Sequence, residues 1–189
     1  MALDNQDSFT FTLVDYCRRA GADVTVARSD EIGLDEALEL EREAIMVSPG
    51  PGRPEDAGIS VDLAREAIAR RIPFLGICLG HQALALACGS ETAHVAPVHG
   101  KVAKVRHDGT GLFSGLPSPL DATRYHSIAV PEPKPPLIAN AWAENGLVMA
   151  MRHADAPAHG IQFHPESIAS SHGLDLIAAF VDRCAAQTA

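Results

Sequence analysis

The stretch Pro73-Phe74-Leu75-Gly76-Ile77-Cys78-Leu79-Gly80-His81-Gln82 starts as an apolar run and stops at a cysteine held between two glycines. Phe74–Ile77 reads as a buried strand and Gly80–Cys88 as a helix, with the cysteine on the turn between them. A strand, a sharp turn and a helix in that order form the repeating unit of a parallel α/β sheet. The same alternation continues on either side. Phe9, Leu13, Tyr16, Cys17 and Ala20 share one face of a helix over residues 8–20, with Ser8 or Asp7 as its cap and Gly21 as its stop. Val24–Ala27 reads as a strand, Leu34–Leu40 as a short acidic helix, 44–48 as a buried strand and Ser60–Arg71 as a helix.

After residue 90 the pattern becomes β-like, with runs at Val98–Arg106, Leu120–Tyr125, Leu137–Ala143, Leu147–Arg152 and His159–Phe163. Asn145-Gly146 is a two-residue hairpin signal between two of these runs. Residues 171–186 close the chain as a helix with Leu174, Ile177, Ala178 and Val181 inward. The expected fold class is α/β: an open, mostly parallel twisted sheet with flanking helices, plus a small antiparallel β section. A single domain over 1–189 is expected.

Charge and composition narrow the functional classes. The formal net charge of −9 argues against nucleic acid as a partner, because a phosphate backbone needs a basic face. Fifteen of the 24 acidic residues lie at or before Glu66, against six of the 15 basic ones, which reads as a solubilising surface on one half of the domain. No apolar stretch approaches the roughly 18 residues of a membrane span, and the N-terminus lacks the pattern of a signal peptide. A soluble, cytoplasmic protein is expected. Cysteines 17, 78, 88 and 184 form no CxxC pair, so neither a disulfide framework nor a zinc site is expected. Dinucleotide, P-loop and zincin motifs are missing too, so no cofactor and no metal are expected.

Three features carry chemistry. Gly76 and Gly80 give Cys78 the room that a nucleophile elbow needs, and the turn aims the thiol outward at a helix start, where the dipole and free N–H groups favour thiolate. The N–H of Leu79, next after the nucleophile, is placed to receive an oxyanion. On these residues alone, a buried structural cysteine is equally compatible. His164 ends the run Gly160-Ile161-Gln162-Phe163 and precedes Pro165, which favours extended backbone, so His164 and Glu166 can point to one side. A carboxylate orienting an imidazole that deprotonates a thiol has this composition, although a solvent-facing polar pair shares it. Pro49-Gly50-Pro51-Gly52 leaves a strand end, where open α/β sheets place ligands. Gly52 supplies an N–H that Pro51 lacks, which makes it the better second oxyanion donor.

Together these residues resemble the class I (triad-type) glutamine amidotransferases, in particular the branch serving anthranilate synthase and aminodeoxychorismate synthase. The resemblance rests on D-N-Q-D-S-F-T (4–10), S-P-G-P-G-R-P-E-D-A-G (48–58), P-F-L-G-I-C-L-G-H-Q (73–82), H-G-K (99–101), R-Y-H-S (124–127) and G-I-Q-F-H-P-E-S (160–167). It covers nearly the whole chain and implies a flavodoxin-like core. It further implies Cys78 as nucleophile, His164 as base, Glu166 as its orienting carboxylate, and Gly52 and Leu79 as oxyanion donors. Pro51, Gly52, Gln82, Ser127 and Ile128 would bind L-glutamine. Ammonia would pass to a chorismate-binding synthase subunit (component I), facing His99-Gly100-Lys101 and residues 124–127. The other readings are a stand-alone γ-glutamyl hydrolase and a catalytically silent regulatory subunit. Only Met1-Ala2-Leu3 precedes Asp4, short of the roughly five residues usual for a buried strand, so either the first strand is clipped or the native start lies upstream.

Overall fold

The computed structural model describes residues 1–40 and 43–188. Its strands are β1 (Ala2–Asp4), β2 (Val26–Arg28), β3 (Ile45–Val47), β4 (Phe74–Ile77), β5 (Ala93–His107), β6 (Leu120–Ala129), β7 (Leu137–Ala143), β8 (Val148–His153) and β9 (Ala158–Ile161). The main helices are α1 (Thr10–Arg19), α2 (Leu34–Leu40), α3 (Ser60–Arg70), α4 (Leu79–Ala87) and α5 (Gly173–Thr188). Among the described residues the strands form a single nine-stranded sheet in the order β2-β1-β3-β4-β9-β8-β7-β5-β6. Pairing is parallel from β2 to β9, and β8, β7, β5 and β6 continue the same sheet antiparallel.

Side-chain alternation along the short central strands builds two apolar layers. Ile45, Val47 and Phe74 pack with Ala37, Leu63, Ala64, Ala67, Leu84 and Ala85, so α2, α3 and α4 cover one face. Met46 and Leu75 pack with Leu13, Val14, Cys17, Leu176, Ile177 and Phe180, so α1 and α5 cover the other. The three-residue β1 is entirely buried and pairs on both edges.

Several local expectations shift. Helix α1 begins at Thr10 and has no side-chain cap at its own N-cap residue. Asp7 instead accepts the N–H of Phe9 at 2.8 Å, and Asp4 accepts the Thr10 hydroxyl at 2.7 Å. The Asn145-Gly146 hairpin has three loop residues, not two. Ala143 donates to Leu147, Gly146 donates to Ala143, and Gly146 takes φ +82°. That is a turn closed by a left-handed glycine and a bulge, and the β7–β8 register shifts beside it. Strand β9 ends at Ile161, earlier than the expected Phe163, with consequences for the site.

Candidate active site

Strand β4 and helix α4 meet at Cys78, whose φ of 51° and ψ of −98° are strained for any residue but glycine. Crowding explains the flanking glycines. A Cβ on Gly76 would sit 2.2 Å from the carbonyl oxygen of Gly80, and one on Gly80 would sit 2.3 Å from that of Val47. The elbow is pinned on both sides: Cys78 N–H donates to Ile161 at 2.7 Å, and the Cys78 carbonyl accepts from Gln82 N–H at 3.1 Å.

His164 reaches the thiol from the neighbouring chain segment, by a route that differs from the expected extended alternation. Beyond β9 the chain leaves the ladder. His164 forms one isolated bridge to Thr123, and a turn through Pro165 brings Ser167 N–H back to the His164 carbonyl. The turn folds Glu166 under the ring, where its Oε1 accepts from Nδ1 at 2.6 Å. A carboxylate can only accept, so Nδ1 carries the proton and Nε2 is the nitrogen left for Cys78. Both side chains are buried, at 4% and 0% exposure, and among the described residues no other side chain than Cys78 engages Nε2. Burial pulls the imidazole down, but Cys78 and Glu166 outweigh it and raise it to about 10. The folded value exceeds the ordinary 6.5. Its protonation-linked stability is therefore full below pH 6.5 and is lost as pH rises through about 10. Urea titrations of the wild type and His164→Gln are expected to show a stability difference that shrinks across that window.

A cavity of about 180 Å³ opens beside Sγ, lined by Gly50, Pro51, Gly52, Cys78, Leu79, Gln82 and residues 125–128. It is smaller than the roughly 300–1,000 Å³ of drug-sized sites, a fit for a small metabolite. The structure thus brings Pro51, Gly52, Leu79, Gln82, Ser127 and Ile128 to one place around Cys78. Gln82 Nε2 donates to the Ile128 carbonyl at 2.9 Å and to Gln162 Oε1 at 3.2 Å, and among the described residues no donor engages Gln82 Oε1. The Ile128 carbonyl also takes His126 Nδ1 at 3.1 Å, so the protein itself occupies it. Ser127 falls in the β5–β6 register shift and has no ladder partner, so its backbone is the more available of the two.

Two features escaped the reading of motifs. Gln162, fully buried, places Nε2 3.6 Å from Cys78 Sγ. It lay within the matched stretch G-I-Q-F-H-P-E-S, but nothing there assigned it a contact with Cys78. The D-N-Q-D-S-F-T segment braces the 49–52 loop: Asn5 N–H donates to Ser48 Oγ, Asn5 Nδ2 to the Ser48 carbonyl, and Ser60 Oγ to Asn5 Oδ1. A Cβ on Gly50 would lie 2.5 Å from that of Asn5, so this loop runs in contact with the brace.

Comparison with known proteins identifies the family. The chain is 48% identical over 187 residues to anthranilate synthase component 2 of Thermus thermophilus, covering 96% of this chain and 91% of that one. It is 45% identical to aminodeoxychorismate synthase component 2 of Escherichia coli, covering 97% and 99%. A Bacillus subtilis protein named for both synthases is 43% identical, covering 96% and 95%. A solved structure from Thermoplasma acidophilum, named for a subunit of GMP synthase, superposes with a TM-score of 0.87 at 23% identity, over 99% of this chain and 94% of that one, which shows the shared fold. The family model for glutamine amidotransferase class-I matches residues 1–184. This chain belongs to the class I glutamine amidotransferase family.

Proposed function

We propose that the chain, a single amidotransferase domain acting in the cytoplasm, hydrolyses L-glutamine to glutamate and ammonia and hands the ammonia to a chorismate-utilising synthase subunit. The observation that carries this reading is the cavity beside Cys78, with the Glu166–His164 pair aimed at the same sulfur. His164 is protonated at neutral pH, so Sγ attacks the side-chain amide carbon as a thiolate whose proton already rests on Nε2. The Gly52 and Leu79 N–H groups hold the resulting oxyanion, which collapses as His164 protonates the departing nitrogen. Water, deprotonated by His164, then cleaves the thioester. Gln82 Oε1 accepts from the α-ammonium end of the substrate, and the backbone at Ser127 holds it further.

The partner face supports the second half of the reading. Strand β5 is exposed along almost its whole length, including His99-Gly100-Lys101, and Val102 is 48% exposed. Phe9 and Tyr125 lie 6.3 Å apart and border His164, while Phe11 and Ile168 stand out in solvent. Tyr125 lines the cavity with Phe9 beside it, and exposed apolar side chains such as Phe11, Val102 and Ile168 suit a surface covered by another protein. Reconstitution with each candidate synthase subunit, chorismate and glutamine tests the reading. Glutamine-dependent formation of anthranilate or aminodeoxychorismate is expected. Hydrolysis with neither product formed would exclude the ammonia-delivery role, whereas no hydrolysis in any mixture would exclude the chemistry.

Gln162 has a role in the same scheme. Its N–H faces the sulfur, and its Oε1 is fixed by Gln82, so the amide cannot flip without losing a buried bond. A hydrogen bond to a charged group contributes about 1.5–3 kcal/mol, roughly a tenfold or larger effect on rate. Gln162→Leu is expected to slow iodoacetamide alkylation of Cys78 at neutral pH by about tenfold. Equal alkylation rates in both proteins would remove Gln162 from the mechanism.

A further inference from the structure

A second cleft, of about 480 Å³, lies at the other end of the sheet, against Pro73 and Pro157 where β4 and β9 begin. Its walls carry Arg71, Arg152, Arg183, His153, His159 and Asp155. In a chain with a net charge of −9, three guanidiniums facing one cavity with a single carboxylate among them is unexpected. Among the described residues none of the three makes an ion pair. Each is steadied by a neutral oxygen instead. Arg152 Nε donates to Thr110 Oγ1 at 3.3 Å, Arg183 Nη2 to the Gly111 carbonyl at 2.7 Å, and Arg71 Nη2 to the Asp155 carbonyl at 3.0 Å.

Thr110 and Gly111 are adjacent, so β8 and α5 deliver their arginines to one loop. Most N–H groups of each fork stay unused, in a half-enclosed space that focuses their charge. The His159 ring lies against the same loop, close to where a Cβ of Gly111 would stand, and makes no hydrogen bond among the described residues. Burial pushes it down to about 4, and the charges of Arg183 and Arg152 add to that, so it is neutral at pH 7 and keeps one N–H to donate. Three positive charges and the one carboxylate leave two positive charges, matching a phosphate dianion. A planar carboxylate would satisfy one arginine fork, whereas a tetrahedral oxyanion can meet forks arriving from three directions.

We propose that this cleft is a binding site for a phosphoryl group, either free phosphate or the phosphate of a small ester. It is separate from the cavity at Cys78 and does not depend on glutamine chemistry. The test uses the full chain at constant ionic strength in Tris-chloride, titrated calorimetrically with inorganic phosphate, with glycerol 3-phosphate and with acetate. Saturable binding of phosphate or the ester in the millimolar range or tighter is expected, with acetate not saturating. Tighter binding of the ester assigns the site to a metabolite, and equal or tighter binding of phosphate to the free ion. The double variant Arg152→Gln/Arg183→Gln is expected to lose at least tenfold in affinity, and the single variant Arg71→Gln less, with Cys78 alkylation unchanged in both. Absence of saturable binding by either phosphoryl probe, or undiminished binding in the double variant, would overturn the proposal.

Discussion

Cys78→Ser, assayed with its synthase partner, chorismate and glutamine, is expected to lose glutamine-dependent product formation by at least about a thousandfold. The sulfur occupies a fixed point between Gln162 Nε2 and His164, and a hydroxyl there has neither the acidity nor the polarisability of a thiol. The backbone at φ 51° is unaffected, since serine has the same branching at Cβ. The variant therefore folds, and the complex still makes product when ammonium chloride replaces glutamine. That second measurement separates loss of chemistry from loss of assembly. A serine variant with wild-type glutamine turnover would refute the covalent mechanism.

Gly80→Ala is expected to have the largest effect on folding. Its new Cβ would lie 2.3 Å from the Val47 carbonyl oxygen and 3.0 Å from the Val47 carbonyl carbon, in the middle of the sheet. Neither partner is a flexible side-chain end, so α4 must lift away from β3. Overpacking of this kind costs about 1–3 kcal/mol, and a backbone clash between two central elements belongs at or beyond the upper end. A drop of several degrees in the thermal midpoint is expected, together with loss of glutamine turnover, because Leu79 N–H moves with the helix. An alanine variant with unchanged midpoint and activity would mean that the glycine is not holding the elbow against β3.

How much of this was legible in the sequence follows from the range of each interaction. The elbow was readable because its requirement is local: Gly76, Cys78 and Gly80 lie within five residues, and the clashes that demand glycine arise inside the turn or just beneath it. His164 and Glu166 were readable as a pair for the same reason, although the path between them is a turn and not an extended strand. Gln162 was not, because its partners Cys78 and Gln82 are 84 and 80 residues away. The D-N-Q-D-S-F-T segment could be matched to a family, but its work on Ser48 and Ser60 spans 43 and 55 residues and appears only in three dimensions. The basic cleft gathers Arg71, Arg152 and Arg183 from three distant segments, and no spacing announces it. The boundaries of β9 and the length of the 143–147 hairpin were displaced for a different reason. Both are fixed by where ladder pairing stops, which depends on the opposing strand.

The placement of β9 beside β4 has a further consequence in time. Cys78 belongs to the first half of the chain and His164 to its last quarter, and the Cys78–Gln162 contact closes 84 residues. Contacts of such separation carry a loop-closure cost and form late, once the intervening strands are in register. During synthesis the thiol emerges well before its imidazole. Until β9 docks on β4 and the turn through Pro165 seats Glu166 beneath His164, Cys78 is an ordinary cysteine beside an unfinished sheet. On the proposed chemistry, completion of the sheet and acquisition of reactivity are therefore one event, and an incompletely folded chain would release no ammonia.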